Sequence, residues 1–183
     1  MKLLAFALSL RQDSCNKKLI QIVESIVKEY KVEIEILDIS DYDMPSYNQD
    51  VETNKGFPEF AEKFKSKLSK ADGLIIASPE YNYSYPGYFK NIFDWISRYQ
   101  PMPWINKKVL FLSASPALAG GERGLWALRV PFEGCGSIVF PGMFSLPLAY
   151  QAFNDKGNLI EDKVLKRLQE LVKSFISFVT KLS

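Results

Sequence analysis

A chain of 183 residues has room for one domain with a substantial core, given roughly 100 to 200 residues per domain. Its 23 basic and 21 acidic side chains leave a net charge of +2, too balanced to make a nucleic acid or an acidic membrane the expected partner. With no histidine, Ser-His-Asp hydrolysis, Cys-His proteolysis and the commonest transition-metal ligand are removed, and two cysteines as distant as Cys15 and Cys135 predict neither a disulfide scaffold nor a zinc site. A reducing, cytoplasmic setting is expected. Chemistry is left to carboxylates, cations, hydroxyls or a borrowed cofactor.

Lys2 to Leu8 (KLLAFAL) is a continuous apolar run, as a central strand of a parallel sheet requires. The start of the chain has the apolar character of a signal peptide but runs into Arg11, Gln12 and Asp13 with no small-residue cleavage site, so a strand is predicted there. No apolar run reaches the roughly 20 residues of a membrane span, and a soluble protein is expected. After the strand, Ser9 to Asn16 (SLRQDSCN) leads into a helical stripe of Leu19, Ile22, Val23, Ile26 and Tyr30, with Asp13 or Ser14 placed to cap it. Free N–H groups and the positive end of the helix dipole then face a loop carrying Ser9, Arg11, Ser14 and Asn16, which predicts an anion site. An ordinary capped helix needs only one such residue.

Val32 to Ile39 alternates apolar with acidic residues and predicts a strand near an edge. Asp38 to Asp50 has no period and is expected to be a surface loop. Phe57, Phe60, Ala61, Phe64 and Leu68 predict a second helix, with Pro58 near its start. Gly73 to Ala77 (GLIIA) is a third strand, followed by a polar and aromatic loop from Ser78 to Tyr85. Pro86 opens a helix whose stripe is Phe89, Ile92, Phe93 and Ile96. Tyr88, Trp95 and Tyr99 form a second aromatic stripe on that helix, expected to pack on another subunit in a homodimer or homotetramer.

Lys107 to Ser113 is a fourth strand, and the small residues from Ser113 to Gly124 predict a loop that lets backbone approach something flat. Leu125, Leu128 and Phe132 suggest a short helix interrupted by Pro131. Ser137 to Phe140 is a fifth strand, followed by irregular chain with a turn at Asn154 to Gly157. Val164, Leu168, Leu171, Phe175, Val179 and Leu182 make the last helix.

Five strands alternating with five helices predict an α/β fold with a parallel sheet covered on both faces. The flavodoxin-like order 2-1-3-4-5 is the economical choice, and residues 1–183 read as one domain. In that order the loops after the first, third and fourth strands converge at one edge. A cleft with an anion site at one end and flat walls along the rest suits flavin mononucleotide.

Three segments resemble the NADPH-dependent FMN reductase family, which includes chromate-, quinone- and azo-reducing flavoproteins: SLRQDSCN at 9–16, MPSYNQD at 44–50 and SPEYNYSYPGYFKNIFDWIS at 78–97. AFNDKGNLIED at 152–162 looks like the family's C-terminal segment, so the likeness spans nearly the whole chain. It implies that Ser9, Arg11, Ser14 and Asn16 bind the flavin phosphate and that Pro79, Glu80, Tyr81 and Asn82 line the isoalloxazine. Ser113 and Ser115 would sit near the pyrimidine edge of the ring. Two positions depart from the family pattern: Leu8 stands where glycine is usual, and Pro116 or Ala117 replaces an extra glycine.

The implied activity is transfer of hydride from NADPH or NADH to FMN and of electrons onward to a quinone, azo compound, chromate or free flavin. No residue is assigned as a catalytic acid or base. A non-catalytic flavin-binding protein or electron carrier of the flavodoxin fold is the alternative. A phosphoacceptor signalling domain would need clustered aspartates after the first strand, where only Asp13 stands. Cys15, at a helix start beside Arg11, reads as a small buried filler ahead of a redox sensor.

Overall fold

The computed structural model of the protein describes residues 1–41 and 44–182, so the loop expected over Asp38 to Asp50 lies partly outside the described residues. In chain order the elements are β1 (Lys2–Ala7), α1 (Cys15–Glu29), β2 (Glu33–Leu37), a 3-10 turn (Ile39–Asp41), α2 (Gln49–Lys55), α3 (Glu59–Ser69) and β3 (Gly73–Ala77). Then follow α4 (Gly87–Ser97), β4 (Lys108–Ala114), α5 (Glu122–Gly134), β5 (Ile138–Leu146), α6 (Ala149–Ala152) and α7 (Asp162–Lys181).

The strands form one parallel sheet in the order β2-β1-β3-β4-β5, as the alternation of apolar runs predicts. Successive residues of the central strands enter two different cores, which is why those runs are apolar throughout. Leu4 and Phe6 of β1 and Leu74 and Ile76 of β3 meet α3, α4 and α5 on one face. Leu3, Ala5, Ile75 and Ala77 meet α1 and α7 on the other. At the β2 edge only Leu37 is buried and Glu33 and Ile36 are exposed, while Lys67 and Lys2 both pair with Glu35, holding its carboxyl below the ordinary value. No helix among the described residues is long and apolar enough to cross a membrane.

Four expectations change. The described residues hold seven α-helices where five were expected: α2 and α6 are the extra ones, short and with at most one buried residue. They carry no apolar stripe to read. β5 does not stop at Phe140 but runs to Leu146, and its register against β4 slips between the Val109–Val139 and Phe111–Met143 pairs. Pro141 and Gly142 sit in that slip, on an edge strand where a missing donor costs little. Pro131 lies inside α5 without ending it. It comes in the last turn, and the fully buried Phe132 beside it packs on Phe93, Trp104 and Phe111. Packing there outweighs the lost helix bond.

The second aromatic stripe of α4 is not free to meet another subunit. Trp95 is fully buried and Tyr99 is 5% exposed. The segment from Met44 to Phe57 covers them: Trp95 Nε1 donates to the Pro45 carbonyl at 2.8 Å, and Asn91 holds the Pro45 carbonyl and the Tyr47 N–H at 3.0 and 2.7 Å. Tyr47 meets the Trp95 ring edge-on at 5.1 Å and Phe57 stacks on Tyr99 at 3.9 Å. Trp104, which follows α4 in the chain, is stacked on Phe93 in the core at 4.6 Å.

Candidate functional site

The ladder between β1 and β3 ends where the Leu8 N–H donates to the Ala77 carbonyl at 2.7 Å. Leu8 points into the core with Leu4 and Phe6, away from the loop, so its bulk does not narrow the space that follows. From Ser9 to Asp13 no N–H donates to a protein acceptor among the described residues. Ser14 caps α1, its Oγ accepting from the Lys17 N–H at 3.4 Å. The Cys15 and Asn16 N–H groups lie in the first turn, where the helix has no acceptor to offer. Asp13, the only carboxylate here, is held by Lys18 at 2.6 Å, which keeps its carboxyl below the usual range. What remains is a row of donors with Arg11 over it, an anion cradle.

Asn16 lines the cleft and also bonds across to β4. Its amide makes two 3.0 Å bonds to Ala114, donating to the carbonyl and accepting from the N–H, and is buried. One amide N–H and the amide oxygen thereby join the start of α1 to the end of β4.

After β3 the chain turns sharply. Tyr81 and Ser84 exchange backbone hydrogen bonds of 2.8 and 3.1 Å around Asn82 and Tyr83, both left-handed at φ 51° and 66°, the geometry of a type I′ turn. Pro79, Glu80 and Tyr81 face the cleft, whereas Asn82 stands exposed at the tip and does not line it. Glu80 Oε2 accepts from the Gly124 N–H at 3.0 Å, with Oε1 3.8 Å from Arg123.

The third wall follows β4. Ser115 lines the cleft and is fixed by its N–H to the Leu146 carbonyl and its carbonyl to the Ala149 N–H, at 3.0 and 3.1 Å. Pro116 lines it as well. Ser113 does not line it: its hydroxyl is buried without a partner beneath Gly121, where a Cβ would come within 2.0 Å of it.

These walls enclose a cavity of about 210 Å³. Larger hollows of about 310 and 450 Å³ surround Arg167, beyond α6, without the row of free donors. Cys15, Ala114 and Tyr150 also line the cleft and were not among the expected site residues. Tyr150, on α6, accepts from Arg11 Nη1 at 3.2 Å and so bridges the mouth. The signal for it was topological, because β5 neighbours β4 and its trailing loop belongs at the same edge. Burial pushes the Cys15 thiol up, which suits a filler better than a thiolate. A donor cradle at one end and Pro79, Tyr81 and Pro116 beyond it fit a phosphate joined to a flat ring system, so the donor set suits FMN.

Fold and cleft define an α/β nucleotide-binding protein of the flavodoxin type. Residues 1–151 match the NADPH-dependent FMN reductase family. An NAD(P)H-dependent FMN reductase of Pseudomonas aeruginosa is 34% identical over 184 residues, covering 100% of this chain and 97% of its own. A probable NADPH:quinone oxidoreductase of Oryza sativa is 33% identical over 187 residues, covering 100% and 90%. Among solved structures, the flavoenzyme NAD(P)H:(acceptor) oxidoreductase of Paracoccus denitrificans matches with a TM-score of 0.83 and 26% identity, over 98% of this chain and 97% of that one. The chain belongs to the NADPH-dependent FMN reductase family and is an oxidoreductase with FMN and a nicotinamide dinucleotide as its cofactors.

Proposed function

We propose that the protein, as one domain over residues 1–183, carries electrons from NADPH or NADH through FMN in this cleft to a small acceptor. The acceptor is a quinone, with an azo compound, chromate or free flavin as alternatives. The observation that carries this reading is the meeting of an unpaired donor row at Ser9 to Asn16 with a slot lined by Pro79, Tyr81 and Pro116.

The N–H groups from Ser9 to Asp13 and at Cys15, with Arg11, bind the phosphate. Ser14 Oγ accepts from Lys17, which leaves its own proton free to donate to the anion, and Ser9 adds a second hydroxyl. Asn16 also braces the cradle through Ala114. When bound, the flavin supplies the acceptance of hydride and the release of electrons. Among the described residues no cleft carboxylate is free for proton transfer, since Asp13 is paired with Lys18 and Glu80 with Gly124. Protons therefore reach the acceptor from solvent. Tyr81 and Tyr150, 48% and 63% exposed at the mouth, offer ring faces to a flat acceptor, which favours quinones.

The cytoplasm is the proposed location, in keeping with reduced Cys15 and Cys135. Support for a homodimer or homotetramer now rests on Trp126 and Val130, 56% and 72% exposed one turn apart on α5. Light scattering that returns a monomer removes it. The main test is a visible spectrum of the purified protein before and after anaerobic NADPH addition, followed by NADPH oxidation with menadione. Bleaching of a yellow protein and steady turnover are expected. A colourless protein that shows no thermal shift with FMN defeats the proposal.

A further inference from the structure

We propose that Glu80 is a positioning residue: its carboxylate is the N-cap of α5, and through that bond it sets the distance between the tyrosine loop and the wall after β4. The inference rests on the cleft being the flavin site. A carboxylate in a ring-lining loop invites the reading that it faces the ring. Its bonds say otherwise.

Helix α5 begins at Gly121, which is left-handed at φ 85° and has no side chain to cap with. The N–H that a cap residue normally takes is the third one in, here that of Gly124. Glu80, 44 residues earlier in the chain, takes it instead at 3.0 Å. The carboxylate is 14% exposed and brings a negative charge to the positive end of the helix. Its second oxygen lies 3.8 Å from Arg123, so both oxygens are committed to α5.

Two further contacts tie the same surfaces together. A Cβ on Gly124 would stand 3.2 Å from Glu80 Cα, Glu80 Cβ and the Ser84 carbonyl, so the loop lies directly on the helix backbone. The Arg123 guanidinium sits 5.0 Å over the ring of Tyr83. Arg123 and Gly124, adjacent on α5, thus grip both sides of a turn that holds Tyr83 in a conformation unfavourable for a bulky residue. Pro79 and Tyr81 flank Glu80, and Pro116 lies on the chain that leads into α5. Freeing Glu80 lets the two sides of the slot part.

Hydrogen exchange on the flavin-free protein reads the clamp directly, and flavin titration reads its consequence. Glu80→Ala is expected to lose amide protection at Tyr81, Ser84 and Gly124. It should bind FMN and riboflavin about tenfold more weakly, the size of one charge-assisted hydrogen bond. Glu80→Gln keeps an acceptor for Gly124 and should restore protection and both affinities, with the reduction potential of bound flavin unmoved. Unchanged exchange in Glu80→Ala overturns the proposal. So does a raised potential in both variants without rescue by glutamine, because that marks a carboxylate acting on the ring itself. Should Glu80→Ala fail to fold, Gly124→Ala keeps the charge and displaces the loop; weakened binding of both flavins supports the clamp and unchanged binding refutes it. If the unaltered protein binds no flavin, the proposed function falls while the exchange experiment still decides the clamp.

Discussion

The two ends of the cleft are built in opposite ways. The backbone donors of the cradle are set locally, by one capped helix start, a run of unpaired N–H groups, and an acid neutralised by Lys18 five residues on. The tyrosine loop from Ser78 to Ser84 is held from outside, by Glu80 on Gly124 and by Arg123 over Tyr83. An anion needs donors pointing one way, and a helix start supplies those within a few residues. A flat ring needs two surfaces at a fixed separation, and no single segment sets a separation. FMN and riboflavin, which differ by the phosphate, therefore separate the two regions in experiment.

The largest expected effect is at the wall the slot depends on. Gly121→Ala puts a Cβ within 2.0 Å of Ser113 Oγ at a left-handed residue. It should cost about 3 kcal/mol or more, lowering Tm by about 6 to 12 °C in calorimetry. Both flavins should bind more weakly, and adding Ser113→Ala should recover part of the loss. Recovery of FMN binding alone would break the comparison.

Asn16→Ala comes next, since it leaves the Ala114 N–H and carbonyl unpaired in a buried place. About 2 to 3 kcal/mol of stability should go, read by urea unfolding. Asn16 belongs to the cradle by position and to the slot by bonding, so affinity should drop for both flavins. A drop for FMN only would make it a phosphate ligand.

Arg11→Ala should leave Tm unchanged, because Arg11 is exposed and its one hydrogen bond among the described residues is to Tyr150. FMN affinity should fall roughly ten- to hundredfold, with riboflavin affinity unmoved and the salt dependence of FMN binding reduced. Equal losses for both flavins would assign Arg11 to the slot.

The smallest effect is at Cys15. Burial raises its pKa above the ordinary 9.0, so below that value the reactive thiolate is scarce and alkylation should keep quickening as pH rises past it. FMN should slow labelling more than riboflavin does, measured by mass spectrometry. Equal protection would place Cys15 against the ring.

The cradle was legible because its parts are neighbours in the chain: Ser14 ahead of an apolar stripe is a cap wherever it occurs. The sheet order followed from the apolar runs and the handedness of crossovers. The contacts of Asn16, Glu80 and Ser113 across the cleft walls were not legible in the sequence. Their partners Ala114, Gly124 and Gly121 lie on other elements, and residue type alone does not say which way a polar side chain turns. Tyr150 was missed for the same reason, and the α4 stripe was assigned to another subunit because nothing in its own helix shows that Met44 to Phe57 folds over it.

By itself, then, the sequence determined the parallel sheet, the helix stripes, the capped start of α1 and the family. These rest on periodicity and on contacts within a few residues. Tertiary structure alone decided the width of the slot, the covering of α4 and the duty of each polar side chain between walls. Those depend on distances between segments far apart in the chain, which come into being only when the sheet assembles.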